Sequence, residues 1–298
     1  MAPKASFQTV AILGTGLVGA SIGLALKAHR PCPSVVGWDK KKRNLAAALR
    51  RKAIDQRAPT LRAAVAAADC VVIAVPLEHI LRMLPQVWRL APAGSFIIDT
   101  GGLKTAVMTV ARKLRETRPD VTFAGGHPVA GSERSGPAAA EADMFRGRPF
   151  AICLDPPPGP ATDKRLLLAR RLTRALGARP VLVDALQHDH VMAVVSALPQ
   201  LVAGCLAVTA AGWSPRRSIK TLAGSGYQGA TRLAFSPFEV WKTPLRSNAR
   251  NVRQALAVFE TRVRQIKRAL EKNDERAVRA FFAGAAAARR ATVPYAKQ

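Results

Sequence analysis

The sequence has few cysteines, few aromatic residues and few acidic residues. Its four cysteines, Cys32, Cys70, Cys153 and Cys205, lie far apart and form no CxxC pair. Neither a disulfide framework nor a zinc site is therefore indicated. We expect no bound metal and a reducing, cytoplasmic compartment. The N-terminus has no apolar signal-peptide core, which agrees with that location.

The shortage of acidic residues leaves 19 of them against 46 lysines and arginines, a net charge of +27. Such an excess favours polyanion binding, because each phosphate contact releases counterions. Apart from runs such as Lys40 to Arg43, however, the cations are spread among apolar residues. Aromatic residues, only 5% of the chain, do not alternate with them as a base-stacking surface requires. We expect a solvated basic surface that attracts anionic small molecules, and no specific nucleic-acid partner.

The first sixty residues contain a dinucleotide-binding pattern. A short strand from Gln8 to Leu13 precedes Gly14-Thr15-Gly16-Leu17-Val18-Gly19, which opens a helix that reaches about Ala28. The glycines allow a tight turn, close approach of a pyrophosphate and close helix packing, and the helix N-terminus favours anions. Gly14, Gly16, Leu17, Val18 and Gly19 are therefore predicted to bind the cofactor.

Asp39 ends a second predicted strand, Ser34 to Trp38, twenty residues after Gly19. A carboxylate there accepts hydrogen bonds from a ribose 2′-hydroxyl and repels a 2′-phosphate, so NAD is favoured over NADP. The basic run that follows Asp39 leaves compensation for a phosphate open. Val75 and Pro76, at the end of the strand that begins at Cys70, are also expected beside the cofactor.

Strands and helices continue to alternate up to residue 184. Such alternation predicts a parallel, doubly wound α/β sheet of the Rossmann type. The further predicted strands are Cys70 to Val75, Ser95 to Asp99, Thr122 to Gly125, Phe150 to Leu154 and Pro180 to Val183. We assign residues 1–184 to a dinucleotide-binding domain.

Residues 185–298 read as helix only and are predicted to form an all-α substrate and dimerisation domain. The uncharged run Val191 to Ala211 is long enough to span a membrane. Pro199 and Gln200 interrupt it, and the next segment must return to the cofactor domain, so burial by packing or dimerisation is favoured. A later helix carries an apolar stripe from Val252 to Leu270 that needs a partner surface. We expect a homodimer and no membrane span.

A histidine follows the predicted strand Thr122 to Gly125, in His127-Pro128-Val129-Ala130-Gly131-Ser132-Glu133-Arg134-Ser135-Gly136. Loops at this edge of an α/β sheet face the cofactor, although a lone histidine is as often structural as catalytic. Together with the glycine motif, Gly224-Ser225-Gly226-Tyr227, Thr231-Arg232 and Trp241, the run resembles the prephenate/arogenate dehydrogenase family, which makes the tyrosine precursor. The resemblance covers nearly the whole chain.

The resemblance implies an oxidative decarboxylation. Hydride leaves C4 of a cyclohexadienol for the nicotinamide, CO2 leaves C1, and the ring becomes aromatic. His127 would polarise or deprotonate the C4 hydroxyl, and a base must be neutral to do this. The general positive charge of the chain is expected to keep it neutral. Arg232 would bind the ring carboxylate, and Ser132 would contact the side-chain carboxylate. Trp241 would line the pocket or belong to the core.

Four positions that depart from the family pattern bear on the substrate. Gly102 replaces a serine that bonds the C4 hydroxyl and the nicotinamide, and Gly229 stands where aspartate is common. Ala197 and Gln200 stand where the family commonly has histidines, although Gln200 could still donate an amide hydrogen bond to the substrate. We predict an NAD-dependent prephenate dehydrogenase. The alternatives are a paralogue that acts on arogenate or an amino-prephenate, and a non-catalytic cofactor-binding or polyanion-binding protein.

Overall fold

The computed structural model describes residues 7–28, 31–130, 134–157 and 163–292. The chain separates into two compact units, residues 1–249 and residues 250–298. The larger unit holds one eight-stranded sheet. Its strands are β1 (Thr9–Leu13), β2 (Ser34–Trp38), β3 (Gln56–Arg57), β4 (Cys70–Ile73), β5 (Phe96–Asp99), β6 (Thr122–Pro128), β7 (Pro149–Cys153) and β8 (Arg179–Leu182).

The helices that accompany this sheet cover both of its faces. They are α1 (Leu17–Lys27), α2 (Lys42–Arg50), α3 (Leu61–Ala66), α4 (Leu77–Leu90), α5 (Thr105–Thr117) and α6 (Lys164–Ala175). Successive β1 side chains alternate between two cores, with Val10 and Ile12 in one and Ala11 and Leu13 in the other. Both faces of the strand are therefore buried, as a parallel sheet between helices requires.

The strand order is β3-β2-β1-β4-β5-β6-β7-β8, so the chain reverses its direction of progress across the sheet between β1 and β4. In open α/β sheets, ligands bind outside the carboxyl ends of the strands at such a reversal. The predicted Rossmann-type architecture is confirmed. All predicted strands are present, with ends shifted by at most three residues.

Strand β7 differs from the all-parallel prediction, because it runs antiparallel to β6. Parallel neighbours need a long crossover, usually an α-helix. Between β6 and β7 the described residues contain only one 3₁₀ turn, Pro137–Ala139. A direct return of the chain therefore pairs the two strands antiparallel. This pairing also lengthens β6 to Pro128, so His127 lies inside the strand, opposite Ala151, and not in the loop after it.

From Ala185 onward, the described residues form only helices. They are α7 (Ala185–Met192), a π-helical turn (Ala193–Ala197), α8 (Leu198–Gly212), α9 (Arg216–Leu222), α10 (Ser225–Thr231), a 3₁₀ turn (Arg232–Phe235), α11 (Phe238–Ser247), α12 (Ala249–Glu271) and α13 (Glu275–Thr292). The boundary at residue 184 stays a prediction.

The helical run 185–212 is the one described segment long and apolar enough to cross a membrane, and only 17% of its most apolar window is buried. A core helix and a signal sequence pass the same test of length and composition. Large side chains such as Val195 and Val208 stay exposed in the single chain. Packing within one protomer therefore does not bury this helix.

The second unit, residues 250–298, contains most of α12 and the whole of α13. The predicted apolar stripe of α12 leaves Phe259, Val263 and Leu270 exposed, and on α13 Phe282 is exposed as well. Large apolar side chains that remain uncovered over two helices mark an interaction surface.

Candidate active site

The glycine motif forms the turn between β1 and α1. Gly14 has φ of +95°, and a Cβ there would lie 2.4 Å from the carbonyl oxygen of Ala74. A Cβ on Gly19 would lie 1.9 Å from the carbonyl oxygen of Gly14. Gly16, in contrast, has no atom within 4 Å of its Cβ position. Gly14 and Gly19 are required by close packing, whereas Gly16 leaves open space above the N-terminus of α1.

Asp39 lies directly beside this turn. Its Oδ2 accepts hydrogen bonds from the Thr15 backbone N–H at 2.9 Å and from the Asn44 side chain at 3.1 Å, and its Oδ1 accepts from Lys41 N–H at 2.8 Å. The carboxylate is thus fixed at the carboxyl edge of the sheet by the loop after β1 and by the start of α2. Glycine loop and acidic residue are brought together, as the dinucleotide pattern requires.

The other predicted cofactor residues line the same edge. Leu17 and Val18 are the first two residues of α1 and are half-buried. Val75 lies just after β4, where its Cγ1 atom is 2.6 Å from the Cβ position of Gly14, and Pro76 caps α4. The residues predicted to bind the cofactor therefore follow three strands, β1, β2 and β4, that are adjacent in the sheet.

A buried ion pair joins the next two strands. Asp99 ends β5, and Lys104 precedes α5; neither side chain is exposed to solvent. The Lys104 Nζ atom donates to Asp99 and, at 2.6 Å, to the carbonyl oxygen of Gly126. Asp99 also accepts hydrogen bonds from the backbone N–H groups of Gly101 and Gly126. The pair fixes the strand that carries His127 against its neighbour.

His127 is the end of a chain of three hydrogen-bonded side chains. Its Nδ1 atom lies 2.9 Å from Nε2 of His188, and Nδ1 of His188 lies 2.8 Å from Oδ1 of Asp189. The two latter residues belong to α7 and are buried. The Asp189 carboxylate in turn accepts from the backbone N–H groups of Lys104 and Thr105 at the start of α5.

The environment of His127 favours its neutral form. Burial lowers its pKa to about 3, assisted by the neighbouring His188 and by the positive charge of Lys104, while Asp189 opposes the shift. His127 nevertheless keeps partial access to solvent. A neutral imidazole at neutral pH agrees with the expectation from the sequence, but the cause is local burial and adjacent groups rather than the overall charge.

Gly102 lies next to Nε2, the second ring nitrogen of His127. A Cβ on Gly102 would be 3.8 Å from Nε2 of His127 and 4.0 Å from Cε1, which is ordinary contact. The space in front of Nε2 is therefore bounded by a residue without a side chain. The family serine that Gly102 replaces would fit here without a clash.

The predicted substrate residues of the helical segment form a second group. Gln200 donates a hydrogen bond from Nε2 to the carbonyl oxygen of Leu233 at 2.8 Å, which ties it to the turn that begins at the exposed Arg232. Gln200 and Trp241 line the same open groove of about 590 Å³. Ser132 lies outside the described residues.

Two polar atoms in this groove are buried without a partner. Oε1 of Gln200 and Nε1 of Trp241 have no hydrogen-bond partner among the residues that the structure describes. Buried polar groups in folded proteins are nearly always paired, so an unpaired acceptor and donor mark a place where a ligand or water completes the bonding. Sequence-based assignment of both residues to the substrate pocket remains a prediction.

A π-helical turn lies between His188 of the histidine chain and Gln200 of the groove. Twelve residues separate His188 from Gln200, which in a regular α-helix is about 18 Å along the axis and about 120° around it. The extra residue of the Ala193–Ala197 turn takes up about 100° of that rotation. His188 and Gln200 thus point to about the same side of one helical run, and π turns are frequent at functional sites.

Sequence reasoning missed His188, Asp189 and Lys104. The signal was available, because His188 and Asp189 lie on the helix that follows β8 and, with His190, are the only adjacent histidine and aspartate residues in the sequence. What could not be inferred was that α7 packs against the start of α5.

A doubly wound sheet with a glycine turn, a fixed acidic residue and a neutral histidine on one edge defines a dinucleotide-binding dehydrogenase. The model named "Prephenate dehydrogenase, nucleotide-binding domain" matches residues 22–182, and "Prephenate dehydrogenase, dimerization domain" matches residues 184–283. The chain belongs to the prephenate dehydrogenase family, an oxidoreductase family of tyrosine biosynthesis, as its motifs predicted.

Individual relatives support this assignment. The chain is 31% identical over 281 residues to prephenate dehydrogenase of Bacillus subtilis, which covers 92% of this chain and 73% of the relative. Aquifex aeolicus prephenate dehydrogenase, solved with hydroxyphenyl propionate and NAD+, superposes with a TM-score of 0.83 at 24% identity, covering 98% of this chain and 100% of that one. Synechocystis arogenate dehydrogenase gives 0.79 at 22% identity, covering 96% and 100%.

Proposed function

We propose that the protein is an NAD-dependent prephenate dehydrogenase that converts prephenate to 4-hydroxyphenylpyruvate and CO2. The observation that carries this proposal is the neutral His127, whose Nε2 atom lies beside Gly102 at the sheet edge that also holds the glycine turn. A neutral imidazole at that edge can accept a proton as hydride departs toward a nicotinamide.

The residues at the edge fit a dinucleotide. The open space above Gly16 and the N-terminus of α1 suit a pyrophosphate, and Asp39 suits a ribose hydroxyl. When bound, NAD supplies the hydride acceptor. The carboxylate of Asp39 favours NAD over NADP, because a 2′-phosphate would meet a like charge there. The Aquifex relative was solved with NAD+, which supports the same choice.

His127 is proposed to hold the proton of the C4 hydroxyl while the C4–H bond breaks. The electron pair of the C1–carboxylate bond then enters the ring as CO2 leaves. The proton returns to the oxygen of the new phenol, so the overall reaction releases no proton. Arg232 is proposed to pair with the ring carboxylate, because a guanidinium binds such a group through two parallel hydrogen bonds.

Arogenate is a second candidate substrate, and one observation favours it. Gln200 uses its amide N–H on Leu233, which leaves Oε1 as a buried acceptor without a partner among the described residues. The side chain of prephenate carries a keto group, which cannot donate to this atom. The side chain of arogenate carries an ammonium group, which can. Substrate choice in this protein therefore depends on which hydrogen-bond donor Oε1 of Gln200 accepts from.

The homodimer also belongs to this proposal. Exposed apolar residues of the helical run 185–212, among them Val195 and Val208, need a cover that a second copy would supply. The match to the family dimerisation domain supports this state. A cytoplasmic location is proposed as well, in keeping with a metabolic dehydrogenase.

The decisive experiment follows reduced nicotinamide by its absorbance with purified protein, NAD or NADP, and prephenate or arogenate in parallel. NAD reduction with prephenate that is lost in His127→Ala supports the first candidate. A kcat/KM at least about tenfold higher with arogenate, reversed in Gln200→His, supports the second. No turnover with either substrate would refute the enzymatic proposal and leave the cofactor-binding or polyanion-binding alternative.

A further inference from the structure

We propose that His188 and Asp189 are positioning residues that keep the proton of His127 on Nδ1 and leave Nε2 as the proton acceptor, and that Asp189 stabilises His127 when it becomes charged. The inference rests on the proposed function of His127. It deepens that function by naming the groups that select the reactive nitrogen.

The first step is the fixed position of Asp189. Three N–H groups donate to its carboxylate: Lys104 at 2.7 Å, Thr105 at 2.9 Å and Nδ1 of His188 at 2.8 Å. The Asn248 side chain holds its backbone carbonyl oxygen at 2.7 Å. The residue is buried and held from α5, α7 and the turn before α12, so its carboxylate cannot rotate away without breaking several hydrogen bonds.

The second step is the direction of each hydrogen bond. Burial acts to raise the pKa of Asp189, but hydrogen bonds from His188, Thr105 and Lys104 outweigh it and hold the pKa below the usual value. An ionised carboxylate only accepts, so Nδ1 of His188 carries a proton and donates it. In the neutral ring of His188, Nε2 is then an acceptor, and the atom that faces it, Nδ1 of His127, is the donor.

The third step is the consequence for Nε2 of His127. A neutral imidazole carries one proton, and the hydrogen bonds that link His127 to His188 and Asp189 place it on Nδ1. Nε2 therefore has a free lone pair, and the nearest position in front of it is the vacant side-chain site of Gly102. The other tautomer would place an N–H toward the substrate hydroxyl and two lone pairs toward each other at 2.9 Å.

The charged form of His127 is also affected. Three ionisable groups face the ring: His188 and Asp189 from α7, and Lys104 from the start of α5. His188 and Lys104 oppose an imidazolium at His127, whereas Asp189 favours it. The arrangement keeps the resting ring neutral and still offers a hydrogen-bonded path to a carboxylate when a proton arrives. Serine hydrolases use an aspartate in this way to fix a histidine tautomer.

The tautomer can be measured without any substrate. The chain has five histidines, so two-bond ¹H–¹⁵N spectra of protein labelled at histidine are assignable by single His→Gln variants. We expect protonated Nδ1 and unprotonated Nε2 for both His127 and His188. A protonated Nε2 on His127 would overturn the proposal, whatever the activity of the enzyme.

Kinetics then test whether the chain serves catalysis. His188→Leu removes the acceptor for His127, and we expect kcat to fall about 10²-fold with KM changed less than about threefold. His188→Gln keeps an acceptor oxygen within reach of Nδ1 and should recover at least about tenfold of the loss. The matched control is His190→Gln on the exposed side of the same helix, with kcat within about twofold of wild type.

The outcomes separate this proposal from the function on which it rests. An unchanged kcat in His188→Leu, or a rise in KM alone, would show a structural role only and overturn the proposal. If that variant does not fold, the His188→Gln rates and the tautomer spectra decide. If wild-type protein turns over neither cyclohexadienol, the proposed function fails, while the spectra still test the geometry of the chain.

Discussion

His127 makes the stability of the fold depend on pH, since its pKa differs between the folded and unfolded states. Burial and the neighbouring His188 and Lys104 lower the pKa from 6.5 to about 3 in the folded protein. A group with a lowered folded pKa binds more protons when unfolded, so acid favours unfolding. The stabilising difference is fully present above about pH 6.5 and is lost as the pH falls from there toward 3.

The magnitude follows from the width of that window. Each pH unit below the unfolded pKa costs about 1.4 kcal/mol, so lowering the pH to about 4.5 removes up to about 2.7 kcal/mol. His127 keeps partial access to solvent, which screens its neighbours, and we therefore expect about 2 kcal/mol. Asp189 has a lowered pKa as well and loses its stabilising contribution in the same direction.

The assay is chemical denaturation at pH 7 and at about pH 4.5 for wild type and His127→Gln. For each protein, the free energy of unfolding at the lower pH is subtracted from that at the higher pH. Comparing these two differences cancels the lost packing and the contribution of Asp189. Wild type should lose about 2 kcal/mol more than the variant, and His190→Gln should behave as wild type. Equal losses in wild type and His127→Gln would refute the reasoning that His127 is buried in its neutral form.

Three further predictions concern the ion pair, the glycine turn and the substrate. Lys104→Met should lower the free energy of unfolding by about 3–5 kcal/mol, because it removes the cationic partner of the buried Asp99. Gly14→Ala should lower both the melting temperature and NAD affinity, whereas Gly16→Ala should weaken NAD binding only. Arg232→Ala should raise KM at least about tenfold and leave kcat within a few fold.

Each of these has an outcome that contradicts it. The double variant Lys104→Met/Asp99→Asn should regain part of the lost stability; no recovery would show that the pair is not the cause. Wild-type NAD affinity in Gly16→Ala, measured by fluorescence titration, would rule out the proposed pyrophosphate position. An Arg232 variant that lowers kcat at constant KM would place this residue in the chemical step instead of in substrate binding.

The nucleotide-binding half was predictable because its determinants are local. Within one strand-turn-helix unit, Gly14 is required by its positive φ and Gly19 by its contact with the Gly14 carbonyl oxygen, and Asp39 lies at the end of the next strand. Strand and helix periodicity predicted the order of the elements for the same reason. A motif that folds within about thirty residues leaves few alternative arrangements.

The antiparallel strand β7 was not predictable from its own residues. Phe150 and Ile152 would be equally apolar in a parallel strand, and the direction was decided by the connection from β6, whose described residues contain no crossover helix. The same pairing moved His127 from a loop into a strand. Whether a residue lies inside a strand or in the loop after it depends on whether a neighbouring strand pairs with it.

The sequence by itself determined the fold class, the cofactor turn and the identity of His127 as the candidate base. Only the tertiary structure decided what His127 touches: His188 and Asp189 are sixty-one and sixty-two residues away along the chain and reach it because α7 packs at the start of α5. A hydrogen bond between distant residues leaves no periodic or local trace in the sequence, since its geometry exists only after two elements have packed.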